Sequence, residues 1–238
     1  QRAFSVHGDA LLTQLSLTSN KELSSNYLAP IHITSAQQMQ GRECRMLKVP
    51  FDNDDFVRYH YCKLATTLLS YEVTTIFDGV SRKGIVIGSV DHDHWKSGIE
   101  VKAEGGNTIS RLKAYSGVST KETRDILPHG ALVGNKVSSA TFMIADTDDW
   151  RDGMELFASV CNTRQPGRNT WTGGTPFGWQ SWGVMATKNN IEVDMAVADF
   201  YADLLRKCGF AGEKGLQILS IDAWDNLDDS QRRLLTSY

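Results

Sequence analysis

Between Phe51 and Ile144 the chain repeats one pattern: a short run of β-branched and aromatic residues, then a break of Gly, Asn, Asp or Ser, with no helical periodicity. Short strands broken this often are the mark of an all-β sandwich or barrel. In Ser70-Tyr71-Glu72-Val73-Thr74-Thr75-Ile76-Phe77, the residues Tyr71, Val73, Thr75 and Phe77 fall on one face, as in a half-buried strand, and Asp78-Gly79 follows as a turn. The run Gly84-Ile85-Val86-Ile87-Gly88-Ser89-Val90 is apolar on both faces, which predicts a strand covered from both sides. Residues before Val49 carry a weaker pattern and are expected to supply edge strands.

The pattern changes at Asp148. Asp148-Asp149 offers an N-cap, and Trp150, Met154, Phe157 and Cys161 recur at helical spacing, with Gly153 the one weak position. A connector rich in Asn, Thr, Gly and Arg follows from Asn162 to Thr175. Beyond it the order is strand (Phe177 to Trp182), helix (about Ile191 to Cys208), strand (Leu216 to Ile221). Val193, Val197, Phe200, Leu204 and Cys208 share one helical face, and Gly209 with Phe210 supplies a C-cap. The strands should pair in parallel through a right-handed crossover. The expected division is therefore a sandwich domain with its closing helix at 1–161, a linker at 162–175, and one β/α unit opening a barrel at 176–238. A full (β/α)8 barrel takes roughly 250 residues, so most of it is expected to lie outside this chain.

Composition narrows the partners. With 238 residues, 41% hydrophobic and 22% charged, the chain has material for one large core or two modest ones. A net charge of −3 leaves no surplus of Lys and Arg to neutralise phosphates, which sets aside nucleic acid and acidic membranes as partners. No apolar run approaches the roughly 20 residues of a membrane span. The start at Gln1 lacks a basic segment followed by an apolar one, and the compartment stays open; removal of a signal peptide would favour a periplasmic or extracellular location. Cys44, Cys62, Cys161 and Cys208 form no C-x-x-C pair and read as buried thiols, with one disulfide as an option. There is no P-loop, dinucleotide fingerprint or Gly-x-Ser-x-Gly elbow, so no cofactor is expected.

The residues that suit chemistry stand at the two strand ends, Trp179-Gln180-Ser181-Trp182 and Asp222-Ala223-Trp224-Asp225. In β/α-barrels working residues occupy the carboxyl ends of strands. A Trp face lies against the apolar C–H face of a pyranose, while a carboxylate accepts hydrogen bonds from two neighbouring hydroxyls. Trp182, Asp222, Trp224 and Asp225 are the candidate substrate-binding residues, with Trp179 assigned to the core. The same residue types also serve as barrel-closing aromatics and a helix cap, and residue type alone does not choose. In Asp91-His92-Asp93-His94 an extended chain would place both imidazoles on one face, as for a metal, but no third ligand is specified and a polar turn beside Trp95 accounts for all four; no metal is expected. Asp52-Asn53-Asp54-Asp55 lacks the Gly and Glu of a calcium loop and reads as an Asx-rich turn.

Pro-Phe-Gly-Trp-Gln-Ser-Trp at 176–182, the helix ending Lys207-Cys208-Gly209-Phe210, and Leu-Ser-Ile-Asp-Ala-Trp at 219–224 resemble the start of the barrel in α-galactosidases. The segments Phe51-Asp52-Asn53-Asp54, Ser70 to Val73, Gly88 to Ile99, His129-Gly130 and Asp148-Asp149-Trp150 are similar to those of the larger microbial and plant-type members. The resemblance implies a mainly β sandwich, the galactose-mutarotase-like supersandwich, followed by the first elements of a (β/α)8 barrel. It implies a retaining glycoside hydrolase acting on α-galactosides or related glycans, whose two catalytic aspartates stand on later barrel strands, beyond residue 238; the chain alone is expected not to hydrolyse. By position, Trp182 matches the aromatic lining the sugar pocket and Asp222 a carboxylate holding galactose hydroxyls. Where the family shows two adjacent aspartates, one residue and Trp, this chain has Asp222-Ala223-Trp224, shorter by one and without the second carboxylate, so that Asp225 is left to fill part of the role. A raffinose-synthase-like galactosyl transferase and a non-catalytic carbohydrate-binding or scaffold module remain alternatives. An unfinished barrel would leave a strand edge and an apolar helix face in water, and self-association is expected.

Overall fold

The computed structural model describes residues 1–51, 58–123, 130–167, 171–172, 178–205, 207–209, 218–222 and 228–236. The Asx-rich turn expected at Asp52-Asn53-Asp54-Asp55, His129, Phe210, Trp224, Asp225 and much of the connector lie outside the described residues. The chain divides into two compact units, Gln1–Gly167 and Arg168–Tyr238.

The first unit is a β-sandwich. Its strands are β1 (Arg2–His7), β2 (Ala10–Ser25), β3 (Leu28–Ile33), β4 (Gln37–Gln38), β5 (Cys44–Lys48), β6 (His60–Lys63), β7 (Thr67–Tyr71), β8 (Val73–Asp78), β9 (Gly84–Ser89), β10 (Ser97–Ala103), β11 (Thr108–Ser116), β12 (Leu132–Ser138) and β13 (Phe142–Thr147), followed by the helix α1 (Trp150–Arg164). An eight-stranded sheet runs β1-β2-β13-β9-β8-β5-β6, with β12 also on β2; a five-stranded sheet runs β3-β11-β10-β7, with β4 also on β11. Met46, Ile76, Ile87 and Phe142 from the first sheet meet Ile31, Ile99, Val101 and Leu112 from the second in one buried core. The opposite face of the large sheet is covered by α1: Val86, Met143 and Ala145 pack with Val160 and, partly buried, Met154 and Phe157. This double cover explains why Gly84–Ser89 is apolar on both faces.

Helix α1 begins where Asp149 accepts a hydrogen bond from Arg151 N, the N-cap expected of that residue. Gly153 is the point at which helix and sheet touch. A Cβ there would lie 2.7 Å from Val86 Cγ2 and 2.9 Å from Thr147 Oγ1, so only glycine lets the helix seat. The helix continues past Cys161 to Arg164.

Two readings of the β region are corrected. Ser70 to Phe77 is not one strand: at Glu72 the backbone takes φ 61°, and the chain passes from β7 in the small sheet to β8 in the large one. Glu72 holds this crossing with its own groups, its N–H donating to Ser97 O, its carbonyl accepting from Ser89 N, and its Oε1 accepting from Ser97 N. Residues before Val49 are also not confined to edges, because β2 lies between β1 and β13, and β5 between β8 and β6. The weak pattern has a physical source: β2 buries Ala10, Leu12 and Thr13 in its first half and exposes most of its second.

In the second unit β14 (Gly178–Gln180) and β15 (Ile218–Ser220) pair in parallel, Gly178 with Ile218, Trp179 with Leu219 and Gln180 with Ser220. Between them come α2 (Trp182–Met185), a 3-10 turn (Ala186–Lys188), α3 (Ile191–Phe200) and a π-helical turn (Tyr201–Leu205); α4 (Asp229–Thr236) follows β15. Asn190 caps α3 by accepting from Val193 N. The apolar face lies partly in water, with Phe200 and Leu204 48% and 51% exposed, while α3 buries Asp194 and Ala198. Asp194 is tied at 3.1 Å to the side-chain amide of Asn189, and burial pushes its carboxyl above the usual range. The four cysteines are free, which removes the disulfide option; Cys44 is buried, Cys62 and Cys161 partly so, and Cys208 is exposed rather than buried. Among the described residues no helix is long and apolar enough to cross a membrane.

Candidate functional site

At the carboxyl ends of β14 and β15 the two strands are clamped together by Ser181, which is fully buried. Its N–H donates to Ser220 O at 3.0 Å, and its Oγ accepts from Asp222 N at 2.8 Å. The Gln180 amide donates to Asp222 Oδ2 at 2.8 Å, and Gln180 Oε1 accepts from Gly183 N at 2.9 Å, so one side chain spans both strand ends. Trp182 is not a strand residue. It starts α2 immediately after the clamp and is 41% exposed, while Trp179 is half-buried beside Leu219. The structure thus places Asp222 beside the segment that carries Trp182. Trp224 and Asp225 lie outside the described residues, and nothing is placed for them. Gln180 and Ser181 have no role that residue type alone assigns. Their signal was their position, since the residues ending a parallel strand face whatever the neighbouring strand end presents.

The first unit holds a separate polar cleft of about 760 Å³ lined by residues of β2, the β9–β10 loop, the strand end at Ser138–Ala140, and the end of α1. Trp95 forms part of its wall and donates its indole N–H to Ser138 O at 2.8 Å. Arg164, in the last turn of α1 where the helix dipole favours a cation, donates from Nε to Asp91 Oδ1 at 2.7 Å and from its terminal nitrogen to Thr141 Oγ1 at 3.1 Å. Asp91 also accepts from Thr141 N at 2.9 Å; although burial acts to raise its carboxyl, these hydrogen bonds and the guanidinium hold it below the usual range.

The Asp91 to His94 segment is a loop, so His92 and His94 are not presented by an extended strand. His92 Nδ1 lies 3.1 Å from Glu72 Oε2, and His94 Nε2 lies 3.6 Å from Asp93. Among the described residues no group of three or more His, Cys, Asp or Glu is arranged to hold a metal. Hydrogen bonding with Cys161 and then with Glu72 raises the His92 imidazole from 6.5 to about 10. A group that binds its proton more tightly when folded stabilises fully below its unfolded value, and that contribution fades as pH rises through the folded one. The urea midpoint should therefore fall between about pH 6.5 and about 10, and His92→Gln should flatten that limb. An identical slope in His92→Gln would assign the decline to another group.

No family model matches the chain, and no curated protein matches it. Among solved structures it is similar to the GH36 α-galactosidase AgaA of Geobacillus stearothermophilus, at 10% identity and a TM-score of 0.49, over 90% of this chain and 29% of that one. The chain thus spans less than a third of that neighbour's length.

Proposed function

We propose that the second unit carries part of the sugar pocket of a β/α-barrel enzyme acting on α-glycosides, in the manner of the α-galactosidases. Trp182 is the platform beneath a pyranose ring and Asp222 the acceptor for its hydroxyls; Trp224 and Asp225 extend the same segment. The observation that carries this reading is the parallel pairing of β14 with β15, whose carboxyl ends bring Gln180, Ser181 and Asp222 together next to an exposed Trp182. A carboxylate held by a neighbouring amide is positioned before the sugar arrives, which lowers the ordering cost of binding. In this reading residues 1–161 are the sandwich domain, 162–175 the connector and 176–238 the opening of the barrel, with the two catalytic carboxylates on strand ends outside this chain. The exposed Val184, Phe200 and Leu204 support it as apolar surface that further β/α units would cover, and through which this chain by itself would self-associate.

Calorimetric titration of the whole chain with galactose tests the proposal. A binding component should disappear in Trp182→Ala and weaken about fivefold or more in Asp222→Asn, the loss of one charge-assisted hydrogen bond. Heats unchanged in both variants would remove the strand ends from sugar recognition.

A further inference from the structure

The cleft of the first unit shares no residue with the pocket proposed above, and its chemistry is that of a recognition site. Its fixed groups are tied to one another. Trp95 is held by Ser138 O, Arg164 by Asp91 and Thr141, and Gln14 by its 3.0 Å bond to Ser139 O, while Gln165 Oε1 accepts from His92 N at 3.1 Å. Around this fixed set stand exposed Asp93, His94 and Lys136. A smaller cavity of about 250 Å³ shares His94, Trp95 and Leu132 with the larger one, so the two have a common wall at Trp95, and the larger of them is the trough.

Charge decides the class of ligand. The two carboxylates lining the larger cavity, Asp91 and Asp93, are matched by two permanent cations, Arg164 and Lys136, and the Arg164 charge is already spent on Asp91. A cleft with balanced charge exerts little net pull on an ion. Its planar amides, carboxylate and ammonium group around an indole instead suit a neutral ligand with many hydroxyls and an apolar C–H face. The volume lies within the range of small-ligand sites and is large for a single sugar ring.

We propose that this trough is a second saccharide-binding site, carried wholly by the first unit, which takes a neutral oligosaccharide with one pyranose ring against Trp95 and hydroxyls to Asp93, Lys136 and Gln165. None of its residues belongs to the strand-end pocket. It would retain a glycan chain on the sandwich whatever bond is cleaved elsewhere.

The test is a nitrogen-15 NMR titration of the whole chain bearing Trp182→Ala, which removes the other proposed platform, with raffinose, maltotriose, cellotriose and xylotriose as probes. At least one should shift the Trp95 indole N–H signal saturably. Asp93→Asn and Lys136→Ala, both at exposed positions that leave the fold intact, should each weaken that binding by about fivefold or more. Trp95→Phe, which keeps a ring but loses the bond to Ser138 O, should weaken it by about tenfold. A Trp95 signal indifferent to all four sugars overturns the proposal. So does a shift produced by inorganic phosphate and not by sugar, and so does sugar binding that ignores both Asp93→Asn and Lys136→Ala.

Discussion

Phe142→Ala should lower the stability of the chain by about 3–5 kcal/mol, the range for deleting a buried aromatic side chain. Phe142 is fully buried in β13, opposite Thr13 on β2 and Ser89 on β9, at the centre of the large sheet. The core it belongs to includes Ile87 of the same sheet and Ile99 and Val101 of the facing one. β-branched side chains have few rotamers, and strands in a hydrogen-bonded ladder cannot slide inward one at a time, so the space left by the ring stays largely empty. The loss should appear as a lower urea midpoint at unchanged slope, since the surface exposed on unfolding barely changes. A loss below about 1 kcal/mol would mean that the two sheets close over the gap, which a tightly packed sandwich resists.

The same core shows why the sandwich could be read from sequence while its connections could not. The run Gly84 to Ser89 advertised cover on two sides, and the cover is there, the facing sheet on one side and α1 on the other. Helix α1 was legible because its cap and its apolar spacing are local properties. The break at Glu72 was hidden because a positive φ usually calls for glycine or asparagine, and here a glutamate is held in that conformation by partners at Ser89 and Ser97 that no local pattern reveals. The burial of Asp194 on α3 was hidden for a related reason. Periodicity identifies an apolar stripe but not whether anything covers it, and Phe200 and Leu204 remain in water while Asp194 is buried with Asn189.

Legibility of the candidate sites follows the same line. Trp182 and Asp222 could be picked out because each stands two residues beyond a short strand, next to other polar or aromatic residues, and that position is a sequence property. The Ser181 clamp and the Gln180 bridge depend on which strand lies alongside, which only the parallel pairing supplies. The trough around Trp95 was not legible at all. Its residues come from positions as far apart as Gln14, Asp93, Lys136 and Gln165, gathered by the sheet order and by the end of α1. Asp91-His92-Asp93-His94 is legible in the sequence as a polar turn beside Trp95, but the way it faces is not: the loop turns His92 toward Glu72 and leaves Asp93 and His94 on the cleft wall.

The loop that carries Trp95 is braced from below by Gly117, and that brace supplies the second large effect. Gly117 follows β11 at φ 87° and donates its N–H to Lys96 O at 2.9 Å, beside the matching bond from Val118 N. A Cβ at this position would collide with the backbone carbonyl of Asn26 and sit 3.3 Å from Tyr27 Cα, so no side-chain rotation relieves it. Gly105 has nearly the same backbone angle, φ 85°, but open space where its Cβ would go. Gly105→Ala should therefore cost about 1 kcal/mol, the backbone strain alone. Gly117→Ala should cost about 2–4 kcal/mol, strain together with the displacement of the Asn26 turn. Because Gly117 lines the smaller cavity with Trp95 and Lys96, Gly117→Ala should also move the Trp95 indole N–H signal, and Gly105→Ala should leave it in place. Equal losses of stability in the two variants would show that the Asn26 turn yields freely, and the Trp95 loop would then owe its position to its own hydrogen bonds rather than to Gly117.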